Sequence, residues 1–112
     1  MMIVGILPNI STAEILLNNL AEADFDLSDV SVVMRNHKQR NMIAQDSGPL
    51  KGANLRNVAG RLIQAGLASQ DSKLYRDAVA QERVLIAMTV LPESEQAAKE
   101  MLQTHGAEFI KG

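Results

Sequence analysis

The sequence contains no cysteine and no tryptophan, and its aromatics number one tyrosine and two phenylalanines. Without thiols there is no disulfide scaffold, no thiolate metal site and no cysteine nucleophile. With so few aromatics, and none in its apolar runs, the chain lacks the stacking platform on which single-stranded RNA is read, so RNA binding by aromatic stacking is not expected. Long apolar runs are missing too. The longest, Met1 to Leu7 and Val84 to Leu91, fall far short of the ~20 residues of a membrane span, and membrane insertion is not expected. The N-terminus has no basic flank and Pro8 cuts its apolar run short, so no signal peptide is read and a cytoplasmic setting is expected. Pro8-Asn9-Ile10-Ser11 holds no glycine, which excludes the usual phosphate-cradling loop after a first strand.

What is present is an ordinary globular composition: 112 residues, 46% hydrophobic and 21% charged, read as a single domain over 1–112. The net charge of −2 hides a strong asymmetry. Residues 1–34 carry five acids (Glu14, Glu22, Asp24, Asp26, Asp29) and no lysine or arginine. Residues 35–61 carry six bases (Arg35, Lys38, Arg40, Lys51, Arg56, Arg61) against Asp46 alone. Such a dipolar field either steers an anionic partner, orients one copy of the chain on another, or is simply a solvated surface.

Met2 to Leu7 and Val84 to Val90 are short, continuously apolar and bounded by turn residues or charges, the pattern of strands buried on both faces. Ser11-Thr12-Ala13-Glu14 fits a capping box, with Ile15, Leu16, Leu20 and Ala23 following at helical spacing. Val30 to Met34 is β-branched enough for a second strand. Residues 36–53 are polar, basic and interrupted by Gly48-Pro49 and Gly52; they read as a flexible basic loop, with a short helix around Lys38 to Gln45 as the alternative. Leu55, Val58, Ala59, Leu62 and Ile63 form the stripe of a helix that Asn54 would cap and Gly66 would end, with Gly60 inside it as a point of close backbone approach. A further helix capped by Ser69 would turn Leu74, Tyr75, Ala78 and Val79 inward. Pro92 opens a last helix that Gly106 closes, leaving Glu108-Phe109-Ile110 for a short final strand.

The order of elements predicts an α/β (α+β) domain: a ferredoxin-like four-stranded sheet, spatial order fourth, first, third, second, with two extra helices inserted between strands 2 and 3. The two continuous apolar runs become its central strands and the shorter, more polar ones its edges. An open doubly wound sheet is the alternative.

Ile3-Val4-Gly5-Ile6-Leu7, the turn Phe25-Asp26-Leu27-Ser28-Asp29 into Val30-Ser31-Val32-Val33, Gly66-Leu67 with Tyr75, and Thr104-His105-Gly106-Ala107-Glu108 together resemble the bacterial general-stress and low-temperature-induced protein family of small α/β domains. The resemblance covers most of the chain except about 36–53. The chain departs from it at Leu67-Ala68, where the family has Ile-Pro, and at Gln81-Glu82-Arg83, where it has glycine. That family has no catalytic motif to carry over, so the resemblance implies a fold and a stress-associated role rather than a reaction.

The residues themselves offer little chemistry. His37 and His105 are unpaired with other metal-ligand types in sequence, so neither a metal nor another cofactor is expected. Asp24, Asp26 and Asp29 lack the turn glycine and terminal glutamate of a calcium loop. Ser11 and Thr12 lie where a helix N-terminus could hold an anion, but capping accounts for them equally. No catalytic residue is assigned. The expectation is a non-enzymatic domain acting through self-association, as a dimer, or through a protein partner, with the Val30 to Met34 edge poorly guarded against pairing. Two alternatives stand beside it. One is a small-ligand regulatory module with its pocket at Tyr75. The other is anion or nucleic-acid phosphate binding by Arg35, Lys38, Arg40, Lys51, Arg56 and Arg61.

Overall fold

The two uninterrupted apolar runs lie side by side at the centre of one sheet. In a computed structural model describing residues 1–112, β1 (Met2–Leu7) and β3 (Val84–Thr89) pair antiparallel from Met2 opposite Thr89 to Leu7 opposite Val84. β2 (Val30–Val33) flanks β3, and β4 (Glu108–Lys111) flanks β1, also antiparallel. The order β2-β3-β1-β4 is the one read from the sequence. α1 (Ile10–Glu22) connects β1 to β2, and α5 (Glu95–Thr104) connects β3 to β4. Between β2 and β3 stand α2 (His37–Ile43), α3 (Val58–Gln64) and α4 (Ser69–Ala80), three helices rather than the expected two. The additional one, α2, is the short helix that stood as the alternative to a loop around Lys38 to Gln45, and Asn36 caps it, its Oδ1 accepting from the Gln39 amide at 3.1 Å.

Helices cover both faces of the sheet, which is why the central strands are apolar without alternation. On one face Ile3, Leu7, Ile86 and Met88 meet Leu16 and Leu20 of α1 and Ala98 and Leu102 of α5. On the other, Val4, Ile6, Leu85 and Ala87 meet Val58 and Leu62 of α3 and Tyr75 and Val79 of α4. β2 contributes to both, Val30 and Val32 to the first layer and Val33 to the second.

Helix starts differ from the sequence reading for local reasons. α1 begins earlier than the capping box allowed, because Asn9 rather than Ser11 is the cap: its Oδ1 accepts from the Thr12 amide at 2.9 Å. The buried stripe is therefore Ala13, Leu16, Leu17 and Leu20, and Ile15 is 54% exposed. The Asn54 side-chain Oδ1 accepts from the amides of Arg56 and Asn57 in a turn, which delays α3 until Val58. Ile63 and Leu74, expected inside, point outward. Ala68, not Ser69, precedes α4, and Pro92–Ser94 form a 3-10 turn ahead of α5. Gly60 is exposed with nothing within 4 Å of the place a side chain would occupy, so no backbone approaches it. Gly66 and Gly106 do take the positive φ expected after a helix, at 107° and 84°.

The segment 36–53 changes sides. Ile43 and Ala44 pack against the α1/α5 layer, whereas Leu50 and Ala53 belong to the α3/α4 layer. Residues 44–50 therefore run as a strap across the outer border of β2.

Candidate functional site

The strap is bolted to β2 by two serines. The Ser31 hydroxyl donates to the Ser47 carbonyl at 2.6 Å and accepts from the Leu50 amide at 2.8 Å. The Ser47 hydroxyl lies 2.9 Å from the Val30 carbonyl and 3.2 Å from that of Leu27, and can donate to either. Ser31 is 2% exposed, so its hydroxyl answers both polar groups where water is excluded. Gly48 sits between them with φ at +80°, and a Cβ there would stand 2.6 Å from the Ser31 nitrogen. Only glycine lets the strap lie this close. The β2 border read as unguarded is thus covered at Val30 and Ser31, and the covering comes from the segment read as a basic loop.

Beside the strap opens the largest of the principal clefts, about 480 Å³. Val30 and Val32 of β2 form its floor, Leu17 of α1 and Leu27 one wall, Ile43 and Ala44 the other. Asn41, Gln45, Ser28 and Ser47 supply its polar members, and no charged side chain lines it. A second cleft of about 300 Å³ lies between α1 and α2, lined by Ile10, Ile15, Met42 and Ile43 with Ser11 and Glu14. Ile43 belongs to both.

The six bases have separate occupations. Arg35 reaches the Ala80 carbonyl at the end of α4, at 3.4 Å. Arg40 stands 3.9 Å from the carboxylate of Asp46, which also accepts from the Gly52 amide at 3.0 Å. The Arg61 guanidinium is half-buried beside Gly52. Lys38, Lys51 and Arg56 are exposed. Arg40 thus ties α2 to the strap at Asp46, and the exposed cations are spread from α2 to the turn before α3.

Tyr75 is fully buried in the α3/α4 layer and lines none of the five principal clefts. Its hydroxyl donates to the Phe109 carbonyl of β4. Burial, with the nearby Asp71 carboxylate adding to it, holds its pKa well above the usual 10.0 of a tyrosine. A phenol so engaged is a clasp between helix and edge strand, in keeping with its expected inward packing.

His105 ties α5 to α1: Nδ1 donates to the Met101 carbonyl at 2.6 Å, and the Asn19 amide donates to Nε2 at 2.7 Å. His37 is exposed at the first position of α2. Asp26 accepts from the Ser28 hydroxyl and amide, which lowers its carboxyl pKa. No three His, Asp or Glu side chains converge.

Sequence reasoning missed both clefts. The available signal was Ile43-Ala44, an apolar pair inside a basic stretch. No protein-family profile matches the chain, and neither a curated protein nor a solved structure matches it.

Proposed function

We propose that the chain is a non-enzymatic, cytoplasmic association domain of ferredoxin-like architecture, akin to the general-stress family it resembles, and that it works as a dimer joined through α1 and α2. One observation carries this reading. Met42 of α2 is 82% exposed, Ile15 of α1 is 54% exposed, and both line one cleft with Ile10 and Ile43. Neighbouring large apolar side chains left in water are the mark of an interaction surface, and a methionine adapts its shape to a partner. Charge supports a second copy as that partner. α1 lies in the segment whose charges are all acidic and α2 in the basic one, so a twofold sets the α1 of each copy over the α2 of the other. This places the contact away from the strapped border of β2, where pairing had been expected.

Sedimentation velocity across the micromolar range tests the reading. The expected result is a dimer that Met42→Glu and Ile15→Glu each weaken by about tenfold or more, with denaturation midpoints unchanged at concentrations low enough that wild type is monomeric, because both side chains are exposed there. A monomer at high micromolar concentration overturns it.

A further inference from the structure

We propose that the cleft between β2, α1 and the strap is a binding site for a neutral, mainly apolar small molecule carrying a hydrogen-bonding group. Its volume of about 480 Å³ falls within the ~300–1,000 Å³ of small-molecule sites. Its floor and walls are aliphatic: Leu17, Val30, Val32 and Ile43, with Ala44 leaving room.

What is missing from the lining sets the ligand class. The lining holds no lysine, arginine, aspartate or glutamate, although 21% of the chain is charged and the adjoining helix α2 is basic. An ionised group moved into this cleft would lose its hydration and meet no countercharge, which excludes carboxylates, phosphates and protonated amines from its depth. The polar members are two hydroxyls and two carboxamides, and the hydroxyls are already engaged, Ser28 with the Asp26 carboxylate and Ser47 with the Val30 carbonyl. Asn41 near the end of α2 and Gln45 just beyond it are carboxamides, both exposed. Each presents a donor and an acceptor together, the complement of an alcohol, amide or carbonyl rather than of a charge. The deep end is apolar and the mouth is amide-lined, so the molecule enters body first with its polar group left at Asn41 and Gln45.

The site shares Ile43 with the α1/α2 cleft, but Met42 and Ile15 do not line it, so variants there leave its lining intact. Titration with N-phenyl-1-naphthylamine, a neutral fluorescent amine, against its anionic analogue 1-anilinonaphthalene-8-sulfonate separates the two ligand classes. The expected result is saturable, one-to-one binding of the neutral probe at micromolar concentration and binding of the sulfonate weaker by about tenfold or more. Ala44→Phe, which fills the cleft from an extended half-buried position, should weaken the neutral probe by about tenfold or more. Leu91→Ser, at an exposed apolar residue elsewhere, should leave it unchanged. Amide shifts in the full chain give a readout that does not require the filled variant to fold: the neutral probe should move Val30, Val32 and Ala44. Non-saturable binding, equal affinity for both probes, or shifts confined to other residues overturn the proposal. Met42→Glu that dissociates the dimer and retains the probe separates this site from the association surface.

Discussion

β2 and β4 both border the sheet, yet β2 is apolar at three of its four residues and buried at all four, whereas β4 carries Glu108 and Lys111 and is largely exposed. They are kept from pairing with other strands by different means. β2 is regular, in register with β3 from Val30 opposite Met88 to Val33 opposite Leu85, and it is shielded by a foreign segment bolted along it. β4 is irregular in itself: its register against β1 shifts between Ile6 and Val4, and Phe109 takes a left-handed φ of 55°. A bulge and a charge at each end blunt an edge without any cover. Tyr75 then fixes the bulge from below by holding the Phe109 carbonyl. An apolar edge needs a lid, and a charged, bent edge needs only an anchor.

Breaking the lid should have the largest effect. Gly48→Ala combines a left-handed backbone with a Cβ 2.6 Å from the Ser31 nitrogen, and should lower stability by about 2–4 kcal/mol in chemical denaturation. The bared β2 border should also make the variant aggregate with rising concentration. An unchanged midpoint would mean that the strap is dispensable. Ser31→Ala comes next: it strands the buried Leu50 amide and the Ser47 carbonyl, at a cost of about 1–3 kcal/mol by the same measurement.

The anchor at β4 is worth less because its acceptor lies on an exposed strand. Tyr75→Phe removes one hydrogen bond and should cost about 0.5–1.5 kcal/mol at pH 8. It should also change the alkaline limb of stability. The raised pKa of Tyr75 means the folded state favours the protonated phenol, so its contribution is complete below pH 10.0, the unfolded value, and is lost as pH rises above it. Wild type should therefore weaken between pH 9 and 11 by more than Tyr75→Phe does, and parallel curves would remove the clasp from the account of β4.

The central strands and the strand order were legible because continuous apolar runs leave few alternatives. The helix ends were not. Asn9 and Ser11 are both good caps, and which one wins depends on where the chain leaves β1, a tertiary fact. Ile15 and Leu74 fit helical stripes by spacing alone, yet which arc of a helix is covered depends on neighbours that spacing does not name. The strap was the largest gap. Asn36 to Ala53 has a loop's composition, and its fixing relies on Ser31 and Ser47, residues whose type suggests only a turn or a solvated position. Tyr75 read correctly as inward-facing, but its partner is a backbone carbonyl 34 residues away, invisible to any local pattern.

The strap also has a bearing on the order in which the chain assembles. Ser31 finds Ser47 and Leu50 at separations of 16 and 19 residues, whereas β2 must wait for β3, more than fifty residues further on. Closing the shorter loop costs about 1 kcal/mol less in chain entropy. The outer side of β2 can therefore be sealed while its inner side is still waiting for a strand, so the most adhesive segment of the sheet offers newcomers one open flank during folding instead of two.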